Sequence, residues 1–271
     1  MALMNARQYA EFYNEQAKND NIAPYFTQGQ VDSFSTVQGT DWQDAILRNA
    51  PQLNNVLTVS GGNAKTRFSI SGGIFKQQGI VRNSDYNRYT LRANIDQEIS
   101  SKFTVNYSTT LTRIQSARQN SGQASRGSSL ISAMQSAPPT LSPSVNGYYR
   151  NLVTAYPFIS NVLINPVANV NETSDALRSN RILANVAVIY KPVAGLSIKI
   201  SGGIENEDFT TNQYSNGFTA ANAASLITTA GSANVFASGN TSLLNENIIT
   251  YTKAWGDHSL TATTGFYLSE L

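Results

Sequence analysis

The side chains able to make or break bonds are sparse in this chain, and their spacing points away from catalysis. One histidine, His258, and no cysteine occur among 271 residues. A Ser-His-Asp triad therefore has a single candidate base, placed at a turn, and a multi-histidine zinc site lacks ligands. Thiolate sites and disulfides are excluded by the cysteine count. Ser-Gly-Gly occurs at 60–62, 71–73 and 201–203, a composition that cradles phosphate when it links a strand to a helix. Each copy lies within or at the end of a strand-like run, where glycine marks a bulge or a close backbone approach. Glu205, Glu207 and Asp208 offer hard oxygen ligands, but their spacing matches no calcium loop, and a solvated strand end accounts for them. No catalytic residue, cofactor site or metal site is expected.

Two further sets are candidates for binding. Arg67, Arg88, Arg92, Arg113 and Arg181, with Asp96 and Glu98, fall on or near polar strand faces. They fit either the lining of a solute path or an ion-paired wall, and the wall is the simpler expectation. Aromatics are spaced through two long connections, and Tyr148, Tyr149, Tyr156, Phe158, Tyr214 and Phe218 are the candidate ligand or partner residues. Flat rings suit sugars, and they equally suit girdles and packing within a loop.

These residues are positioned by strands. From Tyr89 to Asp96, apolar and polar side chains alternate without a miss, and Phe103, Val105, Tyr107 and Leu111 nearly repeat the pattern. Period two means a strand with one apolar and one polar face. Each pattern runs for about ten residues, the span of a tilted barrel strand crossing a membrane. Strands are expected at about 53–62, 66–77, 85–99, 102–115, 181–191, 196–207, 243–253 and 259–268. Their connections alternate short and long, the habit of bacterial outer-membrane barrels, with short periplasmic turns and longer outside loops. Charged residues are only 13% of the chain and mean hydropathy is -0.26. Low charge without an apolar run of about 18 residues argues against a transmembrane helix and suits a barrel.

Residues 1–52 are expected to be an extracellular loop segment with short helices. Residues 53–271 are expected to be a partial β-barrel domain with long outside loops at 116–180 and 208–242. Within the first segment, Asn5 caps a helix to Lys18 carrying Tyr9, Phe12 and Tyr13 on one face. Thr40-Asp41-Trp42-Gln43 reads as a capping box for a second. In the first long loop, a helical piece at 128–135 stops at Pro138-Pro139.

The run from Asn55 to Asp96 also closely resembles the early barrel of SusC/RagA-type TonB-dependent outer-membrane transporters. Gly61, Gly62, Asn63, Lys65 and Thr66 match its SGG-N-x-K-T turn, and Gly72, Gly73, Gln78 and Gly79 its next strand. Asp85, Arg88, Arg92, Asn94 and Asp96 match the N-S-D-(Y/F)-x-R-Y and L-R-x-N-(I/L)-D elements that follow. Ile74-Phe75 departs by one extra residue before the aromatic. Stretches 6–17 and 39–46 resemble the family's segment ahead of this strand, and Asn165-Pro166-Val167-Ala168 resembles a loop element of it.

The resemblance implies an antiparallel transmembrane β-barrel, of which about eight strands lie here, in the cell outer membrane. It implies uptake of large nutrients, oligosaccharides or oligopeptides, with no bond made or broken. It further implies a SusD-like surface lipoprotein over the outside loops, and TonB acting through a plug segment that this chain lacks. Lipid of the outer membrane is the expected surrounding, and a net charge of +2 gives no case for nucleic acid. With no signal peptide in its first residues and a strand pattern running to Leu268, the chain reads as an internal piece of a barrel of about 22 strands. The rival is a soluble or secreted all-β carbohydrate-binding or adhesin domain, which requires the apolar faces of its strands to meet in one core.

Overall fold

The computed structural model describes residues 3–37, 39–119, 121–122, 127–216 and 231–270. Phe218 lies outside the described residues. Three short helices come first: α1 (Ala6–Asn19), α2 (Gln28–Ser33) and α3 (Trp42–Ile46). Four strands follow: β1 (Gln52–Gly62), β2 (Thr66–Gln78), β3 (Asp85–Ser100) and β4 (Phe103–Arg118). A long connection then holds α4 (Leu130–Ser136), a two-residue hairpin of β5 (Ser144–Val145) and β6 (Tyr148–Tyr149), and α5 (Pro166–Glu172). Last come β7 (Thr173–Tyr190), β8 (Leu196–Ser215), β9 (Ser232–Trp255) and β10 (His258–Glu270).

The long strands form one open antiparallel meander in the order β1-β2-β3-β4-β7-β8-β9-β10, with β1 and β10 at its edges. The turns explain the tight ends. Asn63 accepts from the backbone N–H of Lys65 and Thr66 through its side chain, at 2.8 and 2.9 Å, closing the β1–β2 turn. Gly62 beside it has φ +152, and a Cβ there would meet the Thr66 carbonyl oxygen at 2.1 Å. Only glycine fits. The extra residue Ile74 causes no bulge, because the β1–β2 and β2–β3 registers run through it unbroken.

Register assigns every strand residue to a face. One row reads Leu57, Gly72, Leu91, Leu111, Ile182, and another Phe68, Ile95, Tyr107, Val186. The opposite face carries Asp96, Asn106, Ala187, Ser201 and Glu246 in one row. The apolar face is bare: Leu57 is 74% exposed, Leu91 48% and Ile182 44%. Among the described residues, no buried hydrophobic side chain belongs to these eight strands. The buried cores lie instead in the connections. One gathers Trp42 and Ile46 with Val81, Leu130, Leu152 and Leu163; the other gathers Tyr9, Ala10, Phe26 and Val31.

Several expectations need correction. β7 starts at Thr173, β8 runs to Ser215 and β9 starts at Ser232, so residues 173–180, 208–215 and 232–242, expected in the long loops, belong to strands. Those strand ends have little apolar alternation, and it is ladder pairing with β4 and β9 that extends them. Phe12 is 49% exposed while Tyr9 is buried, which narrows the face of α1. Asp41, not Thr40, caps α3, accepting from the N–H of Gln43 and Asp44. Helix α2 was not expected, though its capping box, Thr27 with Gln30, is a T-x-x-Q signal present in the sequence.

Candidate functional site

Two surfaces carry the candidate residues: the polar face of the sheet and a cap at its long-connection end. On the polar face, Asn94, Asp96, Asn106, Ser108, Lys199 and Glu246 line a shallow hollow of about 290 Å³. The Asn106 amide donates to Asp96, and Lys199 pairs with Glu246 at 3.0 Å. Nearer the cap, Arg88, Arg92, Arg181 and Glu207 line a second hollow of about 510 Å³. Arg181 pairs with Glu205 at 2.5 Å, and Arg88 lies 5.4 Å over the ring of Phe75. Such an arrangement presents a polar, partly ion-paired wall to a hydrated solute or to another protein surface.

The acidic trio does not converge. Glu205 and Glu207 share the polar face, and Glu207 accepts from Ser179 at 3.2 Å, whereas Asp208 falls on the opposite face. His258 opens β10 beside the indole of Trp255, at a ring distance of 6.3 Å. Arg113 departs from the expectation of a polar-face position. It pairs with Tyr89 and Asn180 two residues from Leu111, which puts it on the apolar face. Alternation from Leu111 through Thr112 already carried that signal.

The motif residues act mainly on the backbone. Gly79 donates its N–H to the Ser84 carbonyl at 2.8 Å, and a Cβ there would strike the Ser84 hydroxyl. Arg48, unremarked in the sequence, clasps this turn by donating to the Gly79 and Ser84 carbonyls at 3.1 and 2.8 Å. Gln78 donates its N–H to Pro51, and Asp85 accepts from the Asn87 amide. Gly61 packs against Phe68, Gly73 against Val56, and Gly72 faces open space.

The loop aromatics divide. Tyr156 and Phe158 stack on each other at 5.2 Å, and Phe158 stacks on Tyr13 at 3.9 Å, joining the core around Tyr9 and Phe26. Burial among these rings pushes the Tyr9 phenol well above its ordinary range. Tyr148 is 80% exposed at the hairpin tip, Tyr149 receives the Asn171 amide at its hydroxyl, and Tyr214 stands half-exposed near the end of β8. Asn165 is a residue whose role the sequence did not disclose. Buried, it caps α5 through Val167 and Ala168 and donates to the carbonyls of Pro143 and Arg150 at 2.8 and 3.0 Å.

No family model matches the chain. A TonB-dependent receptor of Formosa agariphila, P3, is 28% identical over 249 residues, covering 89% of this chain and 24% of its own length. The TonB-dependent receptor SusC of Bacteroides thetaiotaomicron is 27% identical over 166 residues, 56% of this chain and 16% of that receptor. The chain is a relative of these TonB-dependent receptors. It spans about a quarter of the length of receptor P3 and less of SusC. The fold agrees with a chain in the structure of the RagAB peptide transporter, at a TM-score of 0.74 and 18% identity. That match covers 97% of this chain and 32% of the other. The meander is thus a partial β-barrel wall.

Proposed function

We propose that the chain is part of the wall and outer cap of a SusC/RagA-type TonB-dependent transporter in the cell outer membrane. Its apolar face lies against lipid, its polar face lines the lumen, and the long-connection end is outside, the orientation of bacterial barrels. One observation carries this reading: an apolar sheet face whose side chains, among the described residues, enter no core. From Ile182 to Tyr190 on β7 that face has no charge, matching the roughly 9–11 residues a tilted strand needs to cross. Towards the short turns it ends in Phe103 stacked on Tyr190 at 4.5 Å, with Tyr251 and Trp255 nearby. Rings at that height suit the lipid–water boundary. The soluble-domain reading needs those same faces in one core, and it finds no support here.

In this reading the transporter imports a large nutrient, an oligosaccharide or an oligopeptide, and catalyses no reaction. A SusD-like surface lipoprotein sits on the cap, touching Tyr148 and Tyr149, and Tyr214 stands at the mouth beside it. TonB acts through a plug segment elsewhere in the protein. Cysteine accessibility tests the wall, and this chain has no native cysteine to interfere. Single cysteines at Leu91, Ala93, Ile95, Val105 and Tyr107 should resist a membrane-impermeant thiol reagent in intact outer membranes. Cysteines at Arg92, Asn94, Asn106 and Ser108 should react. Equal labelling of both sets overturns the reading.

A further inference from the structure

Four basic side chains stand on the apolar face: Lys253 towards the short turns, and Lys76, Arg113 and Arg178 at the long-connection end. The ladder row Lys76, Asn87, Gln115, Arg178 puts Lys76 and Arg178 there, and Arg113 lies two residues from Gln115 on β4. Arg113 and Arg178 are therefore diagonal neighbours on adjacent strands, about 7–8 Å apart across the ladder, close enough for both guanidinium groups to reach one oxyanion. No ion pair or hydrogen bond among the described residues engages the side chain of Lys76, Arg113 or Arg178. Asp208 shares the face, opposite Asn180, but its carboxylate lies over Gly239, where an added Cβ would meet it at 2.8 Å.

Directly below Arg113 the face opens into a slot of about 750 Å³. Its floor is Gly72, where an added Cβ meets nothing within 4 Å. Leu57, Ile74, Leu91, Leu111 and Ile182 wall it, with Tyr89, Arg113 and Asn180 at the mouth. A cation facing hydrocarbon is costly unless it reaches a polar headgroup, and the planar fork of arginine matches phosphate geometry. Unpartnered guanidinium groups over a hydrocarbon-lined slot complement one class of occupant, a phosphorylated acyl lipid of the outer leaflet. We infer that Arg113 and Arg178, with Lys76 alongside, hold the phosphate of such a lipid while an acyl chain fills the slot over Gly72. The inference rests on the lipid-facing reading of this face.

The test uses the whole transporter, purified from outer membranes, delipidated in detergent and offered bisphosphorylated lipid A, with bound mass read by native mass spectrometry. Fully dephosphorylated lipid A and inorganic phosphate are the comparison probes. Wild type should retain the phosphorylated lipid and hold both comparison probes about tenfold less, the loss expected for charge-assisted hydrogen bonds. Arg113→Gln with Arg178→Gln should lose retention by a similar factor. Gly72→Leu, which leaves the charges in place, should lose it too, and Lys253→Gln near the short-turn end should match wild type. Undiminished retention by the arginine pair variant or by Gly72→Leu overturns the inference. So does equal retention of either comparison probe, or a bound mass equal to a second copy of the transporter. Thiol labelling at Leu91 and Ala93 in membranes separates the two failures. Shielded positions without lipid retention sink this inference alone, whereas labelled positions sink the wall reading beneath it.

Discussion

Ala93 and Asn94 are neighbours in sequence and opposites in environment. Ala93 stands between Ile70 and Thr109 on the apolar face, and Asn94 between Ser69 and Ser108 on the polar one. Ala93→Arg should cost roughly 2–4 kcal/mol if the site is near the bilayer midplane, because a guanidinium there gives up its hydration. Asn94→Arg, among hydroxyls and water, should be nearly neutral. Unfolding of both variants of the whole transporter by urea in lipid vesicles measures the difference, and equal losses would undo the assignment of faces. At this scale the sequence was nearly sufficient, since strict alternation fixes the facing of every residue from Tyr89 to Asp96. It misled at Arg113, where a charge suggested the polar face while parity with Leu111 pointed to the other. Parity prevailed because the β3–β4 ladder is unbroken between Asp85 and Glu98, so no bulge is available there to turn the side chain over.

The elements show the same division between pattern and context. Each of the eight long strands was legible from period two, and α1 from its Asn5 cap, because those signals are local. Strand ends were not, since the extension of β7 back to Thr173 comes from partners β4 and β8 rather than from its own residues. Nor did the sequence reveal that distant connections share a core. Trp42 shows how they join: it is 2% exposed, and its indole N–H donates to the Pro138 carbonyl at 3.0 Å, linking α3 to the long connection. Thr40 adds a hydroxyl bond to Leu141, and the Arg48 clasp ties the cap to the β2–β3 turn. Trp42→Ala should therefore weaken the cap by about 3–5 kcal/mol through cavity formation and a lost bond, and leave the strand ladders intact. Limited proteolysis of the membrane-embedded transporter should then cut within 119–172 much faster than in wild type, with no new cuts in the strands. Unchanged cleavage would mean that the cap is held by something other than this core.

For the whole molecule, surface area is the telling quantity. A compact monomer of 29.4 kDa is expected to expose about 11,500 Å², whereas this chain exposes 17299 Å². The excess has a clear source: one sheet, open at β1 and β10, with both faces uncovered along most of its length. Water does not tolerate such a surface well. Soluble monomers rarely carry an apolar patch beyond a few hundred Å², and an unpaired edge strand recruits other chains through its free N–H and carbonyl groups. In a larger barrel both edges would be paired and the apolar face covered by lipid, so the same features that burden the isolated sheet would be satisfied. Residues 1–271 expressed without further barrel strands should accordingly aggregate in buffer and need detergent or lipid to stay dispersed, while the helices of the cap, which own their buried cores, keep their signal. Size-exclusion chromatography with light scattering, followed by thermal unfolding, decides the matter. A monodisperse, detergent-free monomer with a single sharp melting transition would show that the apolar face finds cover within the chain itself, and the soluble-domain reading would then replace the transporter wall.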